Sequence, residues 1–193
     1  AEFGDGGFLN IDYQVQLRFA RSGIGSGPTG DDATTDIYPR RNRLSFLGAL
    51  NESLGFGVQF EYNGGRNIND LSVSQKASEY EFDTLDAYLV FTVSNAFQLR
   101  AGKTKHILTR EVNEGCFQPL SMDRSLFING PFQGKRTRDN GLVVWGNLMD
   151  DKVQYRLSAM QGNNFGNTLP DSIGYRYSVR VHYSLFDPET GLG

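Results

Sequence analysis

Strict alternation of apolar and polar side chains is the feature that most limits what this chain can become. Between residues 9 and 19, Leu9, Ile11, Tyr13, Val15, Leu17 and Phe19 fall on one side, and Asn10, Asp12, Gln14, Gln16 and Arg18 on the other. Successive side chains of a strand point to opposite faces, so this period of two predicts a strand with one apolar face. Its ~11 residues are the length a tilted strand needs to cross a bilayer. An antiparallel strand of a soluble sandwich is one-sided as well, so the rest of the chain has to separate the two.

Seven more stretches read as strands. Arg41, Arg43 and Ser45 alternate with Leu44, Phe46 and Leu50, with Leu47 and Ala49 interrupting the polar side. Phe56, Val58, Phe60 and Tyr62 alternate with Gly57, Gln59, Glu61 and Asn63, and Leu85, Ala87, Leu89, Phe91 and Val93 stand against Thr84, Asp86, Tyr88 and Thr92. Phe97, Leu99 and Ala101 oppose Gln98, Arg100 and Gly102. Residues 140–146 are apolar on both faces (Leu142, Val143, Val144, Trp145), which leaves their register open. Val153, Tyr155, Leu157 and Ala159 then oppose Gln154, Arg156 and Ser158. The last stretch sets Tyr175, Tyr177, Val179, Val181, Tyr183 and Leu185 against Arg176, Ser178, Arg180, His182 and Ser184.

The connections sort by length. Turns near 51–54, 94–96 and 148–152 are short, and loops at 21–38, 64–81, 103–137 and 161–173 are long. Outer-membrane barrels have this asymmetry, with short periplasmic turns and long outer loops, and a sandwich has no reason for it. Phe19, Tyr62, Phe97, Tyr155, Tyr175 and Tyr183, near strand ends, fit interfacial aromatic girdles. Hydrophobic residues make up 38% of the 193 and no run approaches 18 apolar residues, which excludes a membrane-spanning helix but not a barrel. The fold expected is all-β, an antiparallel transmembrane β-barrel with about eight strands here, residues 1–193 forming one domain.

Two local motifs carry no chemistry. Gly23, Gly25 and Gly27 resemble a phosphate cradle, but no apolar helix follows, so they predict a loop. Asn51-Glu52-Ser53 fits a glycosylation acceptor and reads better as a tight turn. There is no basic segment leading into an apolar one of signal-peptide type, and Ala1-Glu2-Phe3 reads as a mature end left by cleavage.

Charge is segregated between the faces. With the apolar side towards lipid, the inward side carries seven cations (Arg18, Arg41, Arg43, Arg100, Arg156, Arg176, Arg180) against three anions (Asp12, Glu61, Asp86). That is an excess of four in a chain whose net charge is -3, because most acids lie in loops. Cations along a water-filled path attract anions, and low-dielectric walls focus the field. The overall balance argues against a general nucleic-acid binder. The connection over residues 103–137 is too long for an ordinary loop. It brings Lys103, Lys105, Arg110, Arg124, Lys135 and Arg136, with Arg138 just after it, and Phe117, Phe127 and Phe132 to anchor it. Guanidinium forks match phosphate and carboxylate oxygens, so this segment is expected to fold inward as a constriction, with Lys103, Lys105 and Arg100 at or near it and Arg124 in support.

Leu99-Arg100-Ala101-Gly102-Lys103-Thr104-Lys105, Met122-Asp123-Arg124-Ser125-Leu126 and Arg138-Asp139-Asn140-Gly141 together resemble the phosphate-selective porin family. Arg43-Leu44 with Gly48, Phe60-Glu61-Tyr62 and Leu85-Asp86-Ala87-Tyr88-Leu89 are similar in order and spacing, and the likeness covers roughly residues 40 to 165. The resemblance implies trimers of 16-stranded barrels in the bacterial outer membrane, an inward loop after the fifth strand, and basic residues along a path for phosphate or other oxyanions. It also implies outer-membrane lipid and lipopolysaccharide around the barrel. Family members often carry proline and glycine soon after the lysine, where this chain reads Lys105-His106-Ile107-Leu108. Eight strands are half of such a barrel, so the chain is expected to be the N-terminal half of a larger porin. The alternative is a complete eight-stranded barrel, whose interior its own side chains would fill.

Other chemistry fits poorly. His106 and His182 are the only histidines, and no spacing offers the three or four ligands of a zinc site or a Gly-x-Ser-x-Gly elbow, so no metal, cofactor or catalytic role is expected. A different class of function is a barrel sheathing a multihaem cytochrome. Without Cys-x-x-Cys-His, any haem would belong to that partner. Cys116 has no intrachain disulfide partner.

Overall fold

The computed structural model describes residues 2–3, 6–23, 34–63, 81–113, 138–161 and 175–188. Among these residues, nine strands pair in the order in which they occur in the sequence. They are β1 (Glu2–Phe3), β2 (Gly7–Ser22), β3 (Thr34–Asn51), β4 (Leu54–Asn63), β5 (Glu81–Ser94), β6 (Phe97–Lys105), β7 (Arg138–Leu148), β8 (Val153–Met160) and β9 (Arg176–Tyr183). A single helical turn, α1 (Arg110–Asn113), follows β6. The eight predicted strands are therefore present as β2 to β9, and β1 adds a two-residue flap paired antiparallel with the start of β2. No described helix is long and apolar enough to cross a membrane.

The contacts divide the chain into two compact units, one of Ala1–Asn10, Leu47–Val58 and Leu85–Gly193, the other of Ile11–Phe46 and Gln59–Thr84. In the first, β5 from Leu85 onward and β6 to β9 form an antiparallel meander. Leu99 faces Val144, and Val144 faces Leu157, which faces Val179, while Arg100 faces Val143 and Ser158 faces Ser178. Like therefore meets like on the apolar face, because a one-residue slip would move every side chain to the wrong face; on the other face Val143 and Trp145 of β7 stand opposite Arg100 and Arg156.

The expected turns form where the residues favour them. Asn51 Oδ1 accepts from the backbone N–H groups of Ser53 and Leu54 (both 2.9 Å), the asparagine turn that outweighs the glycosylation reading. Asn95 donates to Asp151 (2.7 Å), and Tyr155 donates to the carbonyl of Ala96 (2.8 Å), joining the two neighbouring short turns. Two boundaries differ from expectation. β2 and β3 extend to Ser22 and from Thr34, shortening the loop expected over 21–38. β6 continues through Lys105, so the long connection starts after that residue rather than at Lys103; Lys103, Thr104 and Lys105 pair with Asn140, Asp139 and Arg138.

Burial is inverted relative to a water-soluble fold. Along β2 the apolar residues Ile11, Tyr13, Val15, Leu17 and Phe19 are exposed, Leu17 by 71%, and the intervening Asp12, Gln14, Gln16 and Arg18 are half-buried. On β9, Tyr177, Val179 and Val181 are exposed and Arg176, Ser178 and Arg180 half-buried. Buried residues include Arg43, Ser45, Glu61, Asp86, Thr104, Asp139 and Arg156. A soluble sandwich would seal its apolar faces against each other. Here they are turned out, as strands in contact with hydrocarbon require.

Candidate functional site

In the unit made by Ile11–Phe46 and Gln59–Thr84, the polar face is cross-linked between β2, β3 and β4. Arg41 donates to the Gln16 side-chain oxygen, the Arg43 guanidinium is paired with Glu61, and Gln59 donates to Ser45 Oγ at 2.8 Å. Arg43 is 6% exposed and carries its counter-charge with it. Arg18, on the same face of β2, is half-buried.

The other unit holds the larger group. Arg100 on β6 lies 4.4 Å from the ring centre of Tyr88 on β5 and 5.1 Å from that of Trp145 on β7, a guanidinium between two aromatic faces. Tyr88 can lie there because its neighbour on β4 is Gly57, where a Cβ would stand 2.4 Å from the phenol ring. Arg100 also donates to Thr104 Oγ1 (3.3 Å), four residues on and on the same face. On β8, Arg156 stands opposite Arg180 of β9 and beside Trp145 of β7. Like charges placed directly across a sheet repel, and the charges of Arg180 and Arg100 both bear on Arg156. Arg156 Nε donates to Gln154 (2.9 Å) and Nη1 to Asn113 Oδ1 (3.0 Å). Arg100 Nε and Arg156 Nη2 are buried donors with no acceptor among the described residues.

The segment after Lys105 packs on this face. Ile107 joins Val143, Trp145 and Met160 in a buried apolar cluster, and Val112 of α1 is fully buried. His106 Nε2 lies 3.1 Å from Arg176 Nη1. This explains why residues 142–145 are apolar on both sides: Val143 and Trp145 are covered by the segment, while Leu142 is exposed on the opposite face. Where the chain returns to the sheet, Arg138 meets Asp86 through two bonds of 3.0 Å. Both side chains of that pair are about a tenth exposed or less.

The sequence-predicted residues thus separate. Arg100, Arg156 and Arg180 are gathered, and Arg176 lies with them on the strand face beside His106. Arg41 and Arg43 sit together on β3, Arg43 neutralised by Glu61. Lys103 and Lys105 are strand residues in the row of Leu99 and Ala101, and Thr104 shares the face of Arg100. Arg124, Lys135, Arg136, Cys116, Phe117, Phe127 and Phe132 lie outside the described residues.

Residues 9–188 match the family described as phosphate-selective porin O and P. The chain belongs to that family. It is a family of porins, not of enzymes. Comparison with curated proteins and with solved structures gives no match.

For a porin the sequence reading missed four participants. Asn113, Ile107 and Val112 fasten the segment to the wall, and Tyr88 supports Arg100. The signal for Ile107 and Val112 was present in the doubly apolar stretch of β7, since a pore wall that is apolar on its water side must be covered by something. Nothing in the sequence separates Asn113 from other loop asparagines, because its partner lies 43 residues away.

Proposed function

We propose that this chain is part of a bacterial outer-membrane porin through which small anions, phosphate or other oxyanions among them, diffuse passively. Family membership supports the channel, and the exposed apolar faces support a wall in lipid. One observation carries the anion preference: Arg100, Arg156 and Arg180 are grouped on the polar face. Arg100 and Arg156 have no carboxylate partner among the described residues. A guanidinium group in a low-dielectric wall projects its field into the adjacent water and offers forked donors that suit oxyanions.

In this reading the eight long strands belong to a larger barrel of the family type. The segment that follows Lys105 is its constriction, with His106 and Ile107 folded against the polar face. Arg18, Arg41 and Arg176 add to the positive potential, with Lys103 and Lys105 in the row of Leu99 and Ala101; the porin works as a homotrimer, and lipid and lipopolysaccharide contact its apolar side. Because residues 106–113 already occupy part of that face, a solute path fits better than a sheath around a cytochrome.

Reversal potentials of the whole porin that contains this chain, in planar bilayers across a KCl gradient, test the proposal. Anion selectivity that falls on replacing Arg100 or Arg180 by glutamine is expected. Cation selectivity of the unaltered porin would reject it.

A further inference from the structure

Two kinds of acceptor can be compared among the arginines of this wall, carboxylates and amides. Arg43 and Arg138 are held by the carboxylates of Glu61 and Asp86, which cancel their charge. Arg156 is held by amides: Gln154 at Nε and Asn113 at Nη1. An amide oxygen fixes a guanidinium in place yet leaves its full charge.

Asn113 does more than accept this bond. Its Nδ2 donates to the carbonyls of Ile107 (3.1 Å) and Thr109 (2.8 Å), closing the turn that contains α1. The same turn is seated on the wall by the buried Ile107 and Val112. One amide therefore joins two carbonyls of the segment after β6 to a cation of β8.

Resting on the anion-passage reading, we propose that Asn113 is a positioning residue and a determinant of selectivity. It locks the root of the constriction segment to Arg156 while keeping that arginine positive. An aspartate at this position would hold the same guanidinium and abolish the charge. An alanine would keep the charge and release the segment.

The two variants should therefore separate in single-channel recordings of the whole porin that contains this chain. Asn113→Asp is expected to lower the chloride-over-potassium permeability ratio at least about threefold, the effect of one added opposite charge at contact distance even under strong screening. Asn113→Ala is expected to leave that ratio within about twofold and to broaden the open-channel current as the segment loosens. Thr109→Ala, which removes only the acceptor for the Val112 N–H (3.3 Å), is expected to change neither.

If Asn113→Asp does not fold, Gln154→Glu sets a carboxylate against Arg156 Nε from the wall and should give the same fall in ratio. An unchanged ratio in a folded carboxylate variant overturns the charge-preserving role. Unchanged current noise in Asn113→Ala overturns the tie to the segment. An unaltered porin that lacks anion preference removes the underlying reading instead, and the two failures are thereby told apart.

Discussion

Replacing Asp86 by asparagine should unpin the strand at which the chain re-enters the sheet. Asp86 lies on β5 and Arg138 opens β7, with β6 between them, so their pairing spans three strands. Two 3.0 Å bonds join a carboxylate and a guanidinium fork, each largely shielded from solvent. At a charge separation near 4 Å and an effective dielectric constant of 20, the attraction is about 4 kcal/mol. Removing one partner of a buried pair costs about 3–5 kcal/mol, because the other charge is left in place. Arg138 has further interactions, which puts the expected loss for Asp86→Asn at the lower end, about 3 kcal/mol. Arg138→Met removes the stranded charge, so the double variant should be more stable than Asp86→Asn alone. The cycle should then give a coupling energy of at least about 2 kcal/mol. Urea unfolding in lipid vesicles, followed by the fluorescence of the chain's one tryptophan, Trp145, measures it. A coupling energy below about 0.5 kcal/mol would refute the reasoning, since that is the scatter of independent sites. The same variant leaves Arg138 positive, so its anion preference should rise; a fall would contradict the charge assignment.

Two other substitutions probe the faces. Val15→Arg, on the exposed apolar row of β2, should destabilise the protein in lipid by about 2–4 kcal/mol, whereas Gln14→Arg on the polar row should cost under about 1 kcal/mol, both read from urea unfolding in vesicles. Gly57→Leu should displace Tyr88 from beside Arg100, because even a Cβ would stand 2.4 Å from the ring; an overpacking loss of about 1–3 kcal/mol and a lower anion preference in bilayer recordings are expected.

Much of the wall was legible in the sequence. The alternation in β2, β8 and β9 determines which residues share a face, and the pairing of Leu157 with Val179 and of Ser158 with Ser178 follows from it. The site was legible only in part, because periodicity reports a face and not a neighbour. That Arg156 and Arg180 stand opposite depends on the register set by the pairing of β8 with β9, and that Arg43 is neutralised depends on Glu61 reaching it from another strand. The start of the long connection was misplaced because Lys103-Thr104-Lys105 reads as a polar loop. The pairing of those residues with β7 outweighs their composition, as strand propensity depends on context.

Counting inward charges treats all arginines alike, and the structure shows why selectivity need not follow the count. A guanidinium bound to a carboxylate is a dipole, and its potential falls off faster with distance than that of a single charge. Arg43 with Glu61 and Arg138 with Asp86 are of this kind, so they brace the sheet and contribute little to a passing ion. Arg100 is held by a hydroxyl and two aromatic faces, and Arg156 by two amides. These remain single charges, set against a wall of low dielectric where screening is weak. Repulsion among Arg100, Arg156 and Arg180 would disperse them in a flexible protein. The neutral partners of Arg100 and Arg156 oppose that dispersion without discharging them, an arrangement that suits an anion path and that a merely stable sheet does not need.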